Sequence, residues 1–412
     1  MLTFSAIEAA RRRLAGAIPV TPCARSEHLS RVTGTQAYLK LENLQFTGAF
    51  KERGALNKII QLTDEEKKRG VICASAGNHA QGVAYHAARL GVLSVIVMPV
   101  FTPLIKVTST RNFGAEVILH GDSFEESHQH ALKLAAERGM VFVHPFNDDD
   151  VMAGQGTIGL ELLEQNPYLQ AVLVPIGGGG LISGIAVALK ETNPRVKIIG
   201  VETEAFPSMK ASIAAGHIVK TPPSSTVAEG IAVREPGDKT FEVVKKYVDD
   251  IVTVSEEEIA NAILFLLERE KTVAEGAGAA GVAALLNAKV DLKDQKVCAV
   301  VCGGNIDVNV ISRIIERGLI KDGRRVRLTA RLMDQPGSLA RLLTIIAQLR
   351  ANVLEVQHTR VYDAGKLGVA EVDLDLETRG HDHVTEILGA ISAAGFETEL
   401  KRLDRNGKIK KP

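Results

Sequence analysis

The sequence predicts an α/β protein built on parallel sheets, followed by a small antiparallel domain. Three observations lead there. Short apolar runs alternate with longer helical stretches from about residue 37 to 320. Glycine is abundant, with 37, while aromatics make up 4% and tryptophan is absent, which suits helices packed closely on buried parallel strands. Beyond a charged run at 321–325 the order of elements changes to strand–helix–strand–strand–helix–strand.

The elements follow in chain order. The first residues, 1–16, hold too short an apolar run for a secretory signal and read as an amphipathic helix. Residues 71–75 form a buried-strand run and 80–90 a helix. The strand 94–98 is stopped by Pro99; a helix at 105–112 ends at Gly114. A strand at 116–119 precedes a helix at 123–138 capped by Gly139. Strands at 171–175 and 197–201 flank a helix at 182–190. The strand 251–254 runs into Ser255-Glu256-Glu257-Glu258, a capping box. The strand 296–301 precedes Gly303-Gly304-Asn305 and a helix. Such alternation implies parallel sheets covered on both faces.

In the C-terminal part, strands are expected at 326–332, 352–359, 366–376 and 397–400, with helices at 338–349 and 382–394. This is a ferredoxin-like arrangement. Alternation in Glu371-Val372-Asp373-Leu374-Asp375-Leu376 leaves one sheet face polar, for water or a partner. The tail from Lys408 to Pro412 reads as disordered.

Composition narrows the function. A length of 412 residues suits two or three domains, and 45% apolar residues allow a large core. Lysine plus arginine (49) equals aspartate plus glutamate (49), so no basic excess attracts nucleic acid or an anionic membrane. No run of about 20 apolar residues suggests a membrane span. Cys23, Cys73, Cys298 and Cys302 form no CxxC pair and no zinc spacing; free thiols in a cytoplasmic protein are expected.

Three segments carry chemistry. In Thr47-Gly48-Ala49-Phe50-Lys51-Glu52-Arg53-Gly54 a buried Lys51 would hold a depressed pKa and a free amine fit for carbonyl chemistry. A solvated lysine at a helix start is the plain alternative. Gly177, Gly178, Gly179 and Gly180 sit between a strand and a helix, where backbone amides and the helix N-terminus can cradle an anion. Neither GxGxxG nor GK[ST] is present, so a single phosphate monoester fits best; a flexible turn is the alternative. Ser75-Ala76-Gly77-Asn78-His79-Ala80-Gln81 also joins a strand to a helix and can hold a carboxylate, with Asn78 free to donate to a phenolate or simply to cap the helix. A buried amine, a phosphate cradle and a carboxylate cradle are together what pyridoxal 5'-phosphate (PLP) and an amino acid require.

With these parts the chain resembles the fold-type II PLP enzymes, related to tryptophan synthase beta, and most closely the threonine ammonia-lyase (threonine dehydratase) family with one C-terminal ACT domain. The resemblance runs over nearly the whole chain. Its motifs are TGAFKERGA at 47–55, SAGNHAQG at 75–82, AGQGT at 153–157, GGGGL at 177–181, EGAGA at 275–279, CGGN at 302–305 and DQPGSL at 334–339.

The resemblance implies that Lys51 carries the cofactor and that Asn78 bonds its phenolic oxygen. It assigns the phosphate to Gly177, Gly178, Gly179, Gly180 and Leu181, and ring packing to Phe50. Ser75, Gly77, Asn78 and His79 would grip the substrate carboxylate. Cys302 would face the pyridine nitrogen. A neutral thiol there cannot stabilise a pyridinium as an aspartate would, which favours rapid β-elimination. Lys51 would remove the Cα proton, the β-hydroxyl would leave as water protonated by the cofactor phosphate, and hydrolysis of the released enamine would give a 2-oxo acid and ammonia. Ala76 stands where serine racemases carry a serine, so elimination is favoured over racemisation. L-threonine is the expected substrate, giving 2-oxobutanoate, with L-serine giving pyruvate, since one methyl discriminates by only about 1–3 kcal/mol. Glu202 and Ser208 match part of a monovalent-cation site, suggesting K⁺. Glu275 opens EGAGA near the cofactor and takes no assigned role.

In the ACT region, Pro336-Gly337 turns the chain, Ser338 is a helix-cap candidate, and Gly337, Ser338 and Asn352 are effector-contact candidates. Leu332 stands where some serine-binding ACT domains are polar, so an aliphatic effector, isoleucine, is expected. The domains implied are a catalytic part at 1–320, with a smaller lobe at 46–154 inserted in a larger one (1–45 and 155–320), and an ACT domain at 325–401. Paired ACT domains on a dimeric catalytic part imply a homo-oligomer, a tetramer. Competing readings are a serine racemase or diamino-acid lyase, and a non-catalytic amino-acid sensor. A dinucleotide-dependent oxidoreductase is disfavoured by the missing GxGxxG and ribose-binding acid.

Overall fold

The computed structural model describes residues 2–359 and 368–401. The chain divides into two compact units, residues 1–307 and 308–412. In the first unit the strands are β1 (Cys23–Arg25), β2 (Gln36–Leu41), β3 (Val71–Ala74), β4 (Ser94–Met98), β5 (Glu116–Leu119), β6 (Val141–Phe142), β7 (Ala171–Pro175), β8 (Lys197–Thr203), β9 (Asp250–Val254) and β10 (Lys296–Val301). A six-stranded sheet runs β1-β2-β10-β7-β8-β9 and a four-stranded one β5-β4-β3-β6. The smaller sheet is parallel throughout. The larger is parallel except at its edge, where β1 runs antiparallel to β2.

β4 and β7 are buried along their whole length, as strands covered on both faces must be. Each fully buried Val, Leu or Ile there contributes roughly 1.5–3 kcal/mol. Helix Asp149–Gln165 lies directly on helix Gly180–Thr192, and small residues let the backbones meet. A Cβ added to Gly184 would stand 2.4 Å from the Met152 carbonyl oxygen. The amphipathic helix Phe4–Leu14 buries Ile7, Ala10 and Leu14 and is capped by Thr3. The Ser255 capping box forms with Glu258.

The second unit has β11 (Arg325–Met333), β12 (Asn352–Thr359), β13 (Val369–Glu377) and β14 (Glu397–Leu400), in the order β12-β13-β11-β14, all pairs antiparallel. Helices Ser338–Gln348 and His381–Ala393 complete the ferredoxin-like pattern. Its core holds Leu328, Ala330, Leu342, Ile346, Leu374 and Ile387.

Three expectations change. The helix Val308–Lys321 falls in the second unit, whereas the sequence grouped it with the catalytic strands because it follows β10 in the alternation. Gly337, in the left-handed region at φ +91, occupies the helix-cap position, and Ser338 is the first helical residue with no capping bond. Leu332 is 4% exposed inside the core, so packing accounts for its aliphatic character. The expected start of a strand at Lys366 and the tail from Lys408 to Pro412 lie outside the described residues. Among the described residues no helix is long and apolar enough to cross a membrane.

Candidate active site

Open α/β sheets present ligand sites at the carboxyl ends of parallel strands. β3 ends at Ala74 and opens into 75–78. β7 ends at Pro175 and opens into 177–180. β10 ends at Val301 and opens into 302–304. The helix Lys51–Ile59 is tied to the end of β10 by a bridge between Ala49 and Gly303 and by the Phe50 amide, which donates to the Cys302 carbonyl at 3.0 Å.

Lys51 begins that helix. Its Nζ donates to the Pro145 carbonyl at 2.7 Å and lies 5.2 Å from the centre of the Phe50 ring. Burial pulls its pKa from 10.5 down to about 8, against the opposing pull of Cys302, Glu275 and Cys73. The residue as a whole is half-buried. Phe50 and Cys302 are buried beside it, and burial pushes the Cys302 thiol up, keeping it neutral.

Asn78 is the first helical residue after Gly77. Its Nδ2 donates to Glu275 Oε1 at 2.7 Å, and its Oδ1 accepts from Asn305 Nδ2 at 2.8 Å. Asn305 also donates to the Thr47 carbonyl at 2.7 Å. Four motifs therefore meet around one amide. Gly303 must lack a side chain here, because a Cβ would stand 2.5 Å from Glu275 Oε1.

The glycine turn closes against three neighbours. Gly179 has φ +95 and Gly180 starts a helix of 13 residues, whose first amides have no partner within the helix. Thr240 Oγ1 donates to the Gly178 carbonyl at 2.6 Å. A Cβ on Gly178 would lie 2.3 Å from the Phe146 ring. Leu181 is buried behind the turn.

The expected carboxylate loop joins β3 to the helix that begins at Asn78. Ser75 Oγ accepts from the Gly77 amide at 3.2 Å, and Ser75, Gly77 and Asn78 keep accessible surface. His79 is 2% exposed, and its Nε2 meets the Val143 carbonyl at 2.9 Å, so that nitrogen donates. Burial lowers its pKa to about 3, with Lys51 adding to the effect. The ring is neutral and anchors the 143–147 segment; it supplies no positive charge to a carboxylate.

Glu202 and Ser208 do come together. Glu202 is fully buried, with Oε1 accepting the Met209 amide at 2.8 Å and Oε2 the Lys210 amide at 2.9 Å. Ser208 Oγ donates to the Val233 carbonyl at 2.7 Å. Burial raises the Glu202 pKa to about 7. In the second unit Gly337 and Asn352 are exposed, Ser338 is half-buried, and Asn352 Nδ2 donates to Glu377 Oε2 at 3.3 Å.

Pro145, His144 and Phe146 were not singled out by sequence reasoning, because a backbone carbonyl and a ring packed on glycines leave no side-chain signature. Glu275 carried a signal, its place in EGAGA, but no role. Burial lifts its pKa from 4.5 to about 7, partly offset by Asn78, Lys106 and Lys51, while Glu229 adds to the rise. A carboxyl whose folded pKa is raised favours folding below its unfolded pKa and loses that contribution as pH rises through about 7. Glu275→Gln should therefore flatten the stability of the apoprotein between about pH 4.5 and 7 and stabilise it at pH 8 by up to about 3 kcal/mol. Urea unfolding at pH 5 and pH 8 measures this; equal losses at both would contradict it.

The family model for pyridoxal-phosphate dependent enzymes matches residues 14–303. The chain is 55% identical over 400 residues to L-threonine ammonia-lyase of Thermotoga maritima, covering 97% of this chain and all (100%) of the relative. It is 51% identical over 401 residues to L-threonine ammonia-lyase of Geobacter sulfurreducens, with 97% and 100% covered. Among solved structures, the processed form of threonine deaminase isoform 2 from Solanum lycopersicum superimposes with a TM-score of 0.71 at 37% identity, covering 76% of this chain and 86% of that one. Maize serine racemase gives a TM-score of 0.73 at 35% identity, with 78% and 98% covered.

Proposed function

This chain belongs to the family of pyridoxal-phosphate dependent enzymes, and on that premise we propose that it dehydrates and deaminates L-threonine to 2-oxobutanoate and ammonia. The observation that carries the reading is Lys51, a half-buried lysine whose amine is depressed to about 8 and bonded to the Pro145 carbonyl. Full-length relatives named L-threonine ammonia-lyase support the substrate.

The residues present fit the cofactor. A Cβ would crowd the turn at Gly178 and Gly180, Asn78 has a second amide hydrogen beyond the one given to Glu275, and Cys302 is a neutral thiol. Lys51 would hold the group, Gly177 to Leu181 its phosphate, Asn78 its phenolic oxygen, Phe50 its ring and Cys302 its nitrogen. Bound there, pyridoxal phosphate supplies an electron sink that makes the substrate's Cα proton removable.

The chain supplies the rest. With a pKa of about 8, about a tenth of Lys51 is neutral at pH 7, enough to act as the base for that proton. Backbone amides at 75–78 orient the carboxylate at a helix N-terminus. Ala76 offers only a methyl, so no second acid or base supports racemisation, and elimination is favoured over the serine racemase alternative. L-serine, lacking one methyl, is expected to react too, giving pyruvate.

A K⁺ ion beside Glu202 and Ser208 is supported by a fully buried carboxylate whose described partners are two backbone amides, with no cationic side chain bonded to it among the described residues. Isoleucine regulation through Gly337, Ser338 and Asn352 is supported by an exposed loop at Gly337 and an exposed start of the edge strand β12 at Asn352. A dimeric catalytic part joined to pairing ACT domains would give a tetramer. Four free cysteines suit a reducing cytoplasm, where isoleucine biosynthesis is the expected role. The test is a 2-oxo acid assay on L-threonine and L-serine, with and without isoleucine and K⁺. Product from L-threonine is expected, with the rate altered by isoleucine and raised by K⁺; no product from either amino acid would end the proposal.

A further inference from the structure

The segment 143–147 connects β6 to the helix Asp149–Gln165 and touches Lys51, His79 and the glycine turn without belonging to any motif. The Val143 carbonyl accepts from His79 Nε2 at 2.9 Å, and its amide donates to Ile72 at 2.9 Å. The Pro145 carbonyl accepts from Lys51 Nζ. Phe146 fills the space that side chains on Gly178 and Gly180 would need. Asn147 Nδ2 donates to Asp238 Oδ1 at 2.6 Å and its Oδ1 accepts the Lys239 amide at 3.1 Å. One bend thus links the lysine to the glycine turn.

The centre of the bend is His144. Its Nδ1 accepts two backbone amides, Phe146 N at 3.2 Å and Asn147 N at 2.8 Å. An imidazole nitrogen that accepts carries no proton, so the ring must be neutral. It packs edge-on to Phe146, ring centres 4.7 Å apart, and near His128 and Phe142.

We propose that His144 is a positioning residue: by accepting both amides it sets the bend whose Pro145 carbonyl fixes the Lys51 amine and whose Phe146 ring backs the phosphate cradle. This rests on the PLP-lyase reading and extends it to a residue that touches no substrate. The ring is suited to the task, since burial lowers its pKa to about 4, with His128 and Lys51 lowering it and Asp148 and Asp238 opposing, so the lone pair stays available at neutral pH. The two amides also fix a tautomer with the remaining proton on Nε2.

The geometry separates three substitutions. In His144→Asn, Oδ1 stands where Nδ1 stood and can accept both amides. In His144→Gln the acceptor sits one bond farther out. In His144→Leu there is none, and two amides lose their acceptor. Two readouts on purified protein follow, besides turnover. The first is cofactor affinity, from the visible absorbance of lysine-bound PLP titrated into apoprotein. The second is the pH dependence of amine labelling at Lys51 in the apoprotein, since losing the Pro145 acceptor disfavours the charged amine. His144→Leu and His144→Gln should weaken PLP binding by roughly 10- to 100-fold and shift Lys51 titration to lower pH, while His144→Asn restores both. If His144→Leu does not fold, the Asn and Gln pair decides: equal behaviour of the two overturns the proposal, as does wild-type affinity in His144→Leu. A wild-type protein that takes up no PLP would instead remove the underlying reading.

Discussion

Lys51→Ala is expected to lower turnover of L-threonine by at least about a thousandfold. The lysine serves twice, as the cofactor's anchor and as the base that takes the Cα proton, and a positioned base alone contributes about 10²–10⁴-fold. The loss should be chemical and not structural. Alanine is the best helix former, the position opens the helix Lys51–Ile59, and the hydrogen bond that Lys51 Nζ gives up is the one to the Pro145 carbonyl. The urea midpoint should therefore change little while the 2-oxo acid assay goes flat and the visible band of lysine-bound cofactor disappears. In the wild type, the neutral fraction of the amine grows as pH passes through about 8, so the rate limb controlled by this group should rise with pH. Near-normal activity in the alanine variant would remove Lys51 from its assigned role.

The periodic parts of this fold could be read from the residues, and the reasons the others could not are physical. β4, β5, β7, β10, β12 and β14 stand at their expected bounds; of these β4, β7 and β10 are buried along all or nearly all of their length and β14 alternates. β1, with three residues, and β6, with two, are too short to carry a period; they exist because a neighbouring strand supplies the hydrogen bonds. The site divides in the same way. Asn78 and the glycines could be singled out because each follows a strand and opens a helix, and Lys51 because it stands in TGAFKERGA at a helix start. His79 stands in the expected loop, and that its ring turns to Val143 could not be read there, because loop membership does not say which way a ring turns. His144 and Pro145 were invisible because their contributions are a lone pair and a carbonyl within an irregular segment.

The ionic cluster beneath the lysine helix was equally hidden, since a sequence does not reveal which charges are buried together, and it sets the second large effect. Arg53, two residues after Lys51, is 1% exposed. Its guanidinium donates to Glu42 through Nε at 2.7 Å and Nη2 at 2.8 Å, and to Glu161 through Nη1 at 2.6 Å and Nη2 at 2.9 Å. Lys40 Nζ, fully buried, reaches Glu161 Oε2 at 2.5 Å and the Thr21 carbonyl at 2.7 Å. Burial pushes the Glu42 pKa up, but Arg53 and Lys40 and the Arg53 and Thr21 hydrogen bonds outweigh it and hold the carboxyl below its usual range. Arg53→Met removes one cation from between two carboxylates. Glu42 is then left without a direct ion pair in the interior, and the expected loss is about 3–5 kcal/mol, read as a fall in the urea midpoint. Because the helix Lys51–Ile59 would lose one of its ties to the helix Asp149–Gln165, beside those from Gly54, Asn57 and Lys58, cofactor affinity should fall as well. Adding Glu42→Gln to Arg53→Met should recover part of the stability, since an amide costs less to bury than an unpaired charge. The sign of the pH effect follows from the depressed carboxyl: its contribution is present above about pH 4.5 and is lost as pH falls through the folded value. The difference between wild type and Arg53→Met should therefore shrink as pH falls below about 4.5; a difference that stays constant from about pH 8 to about pH 3 would show that lost packing, and not charge pairing, accounts for the effect.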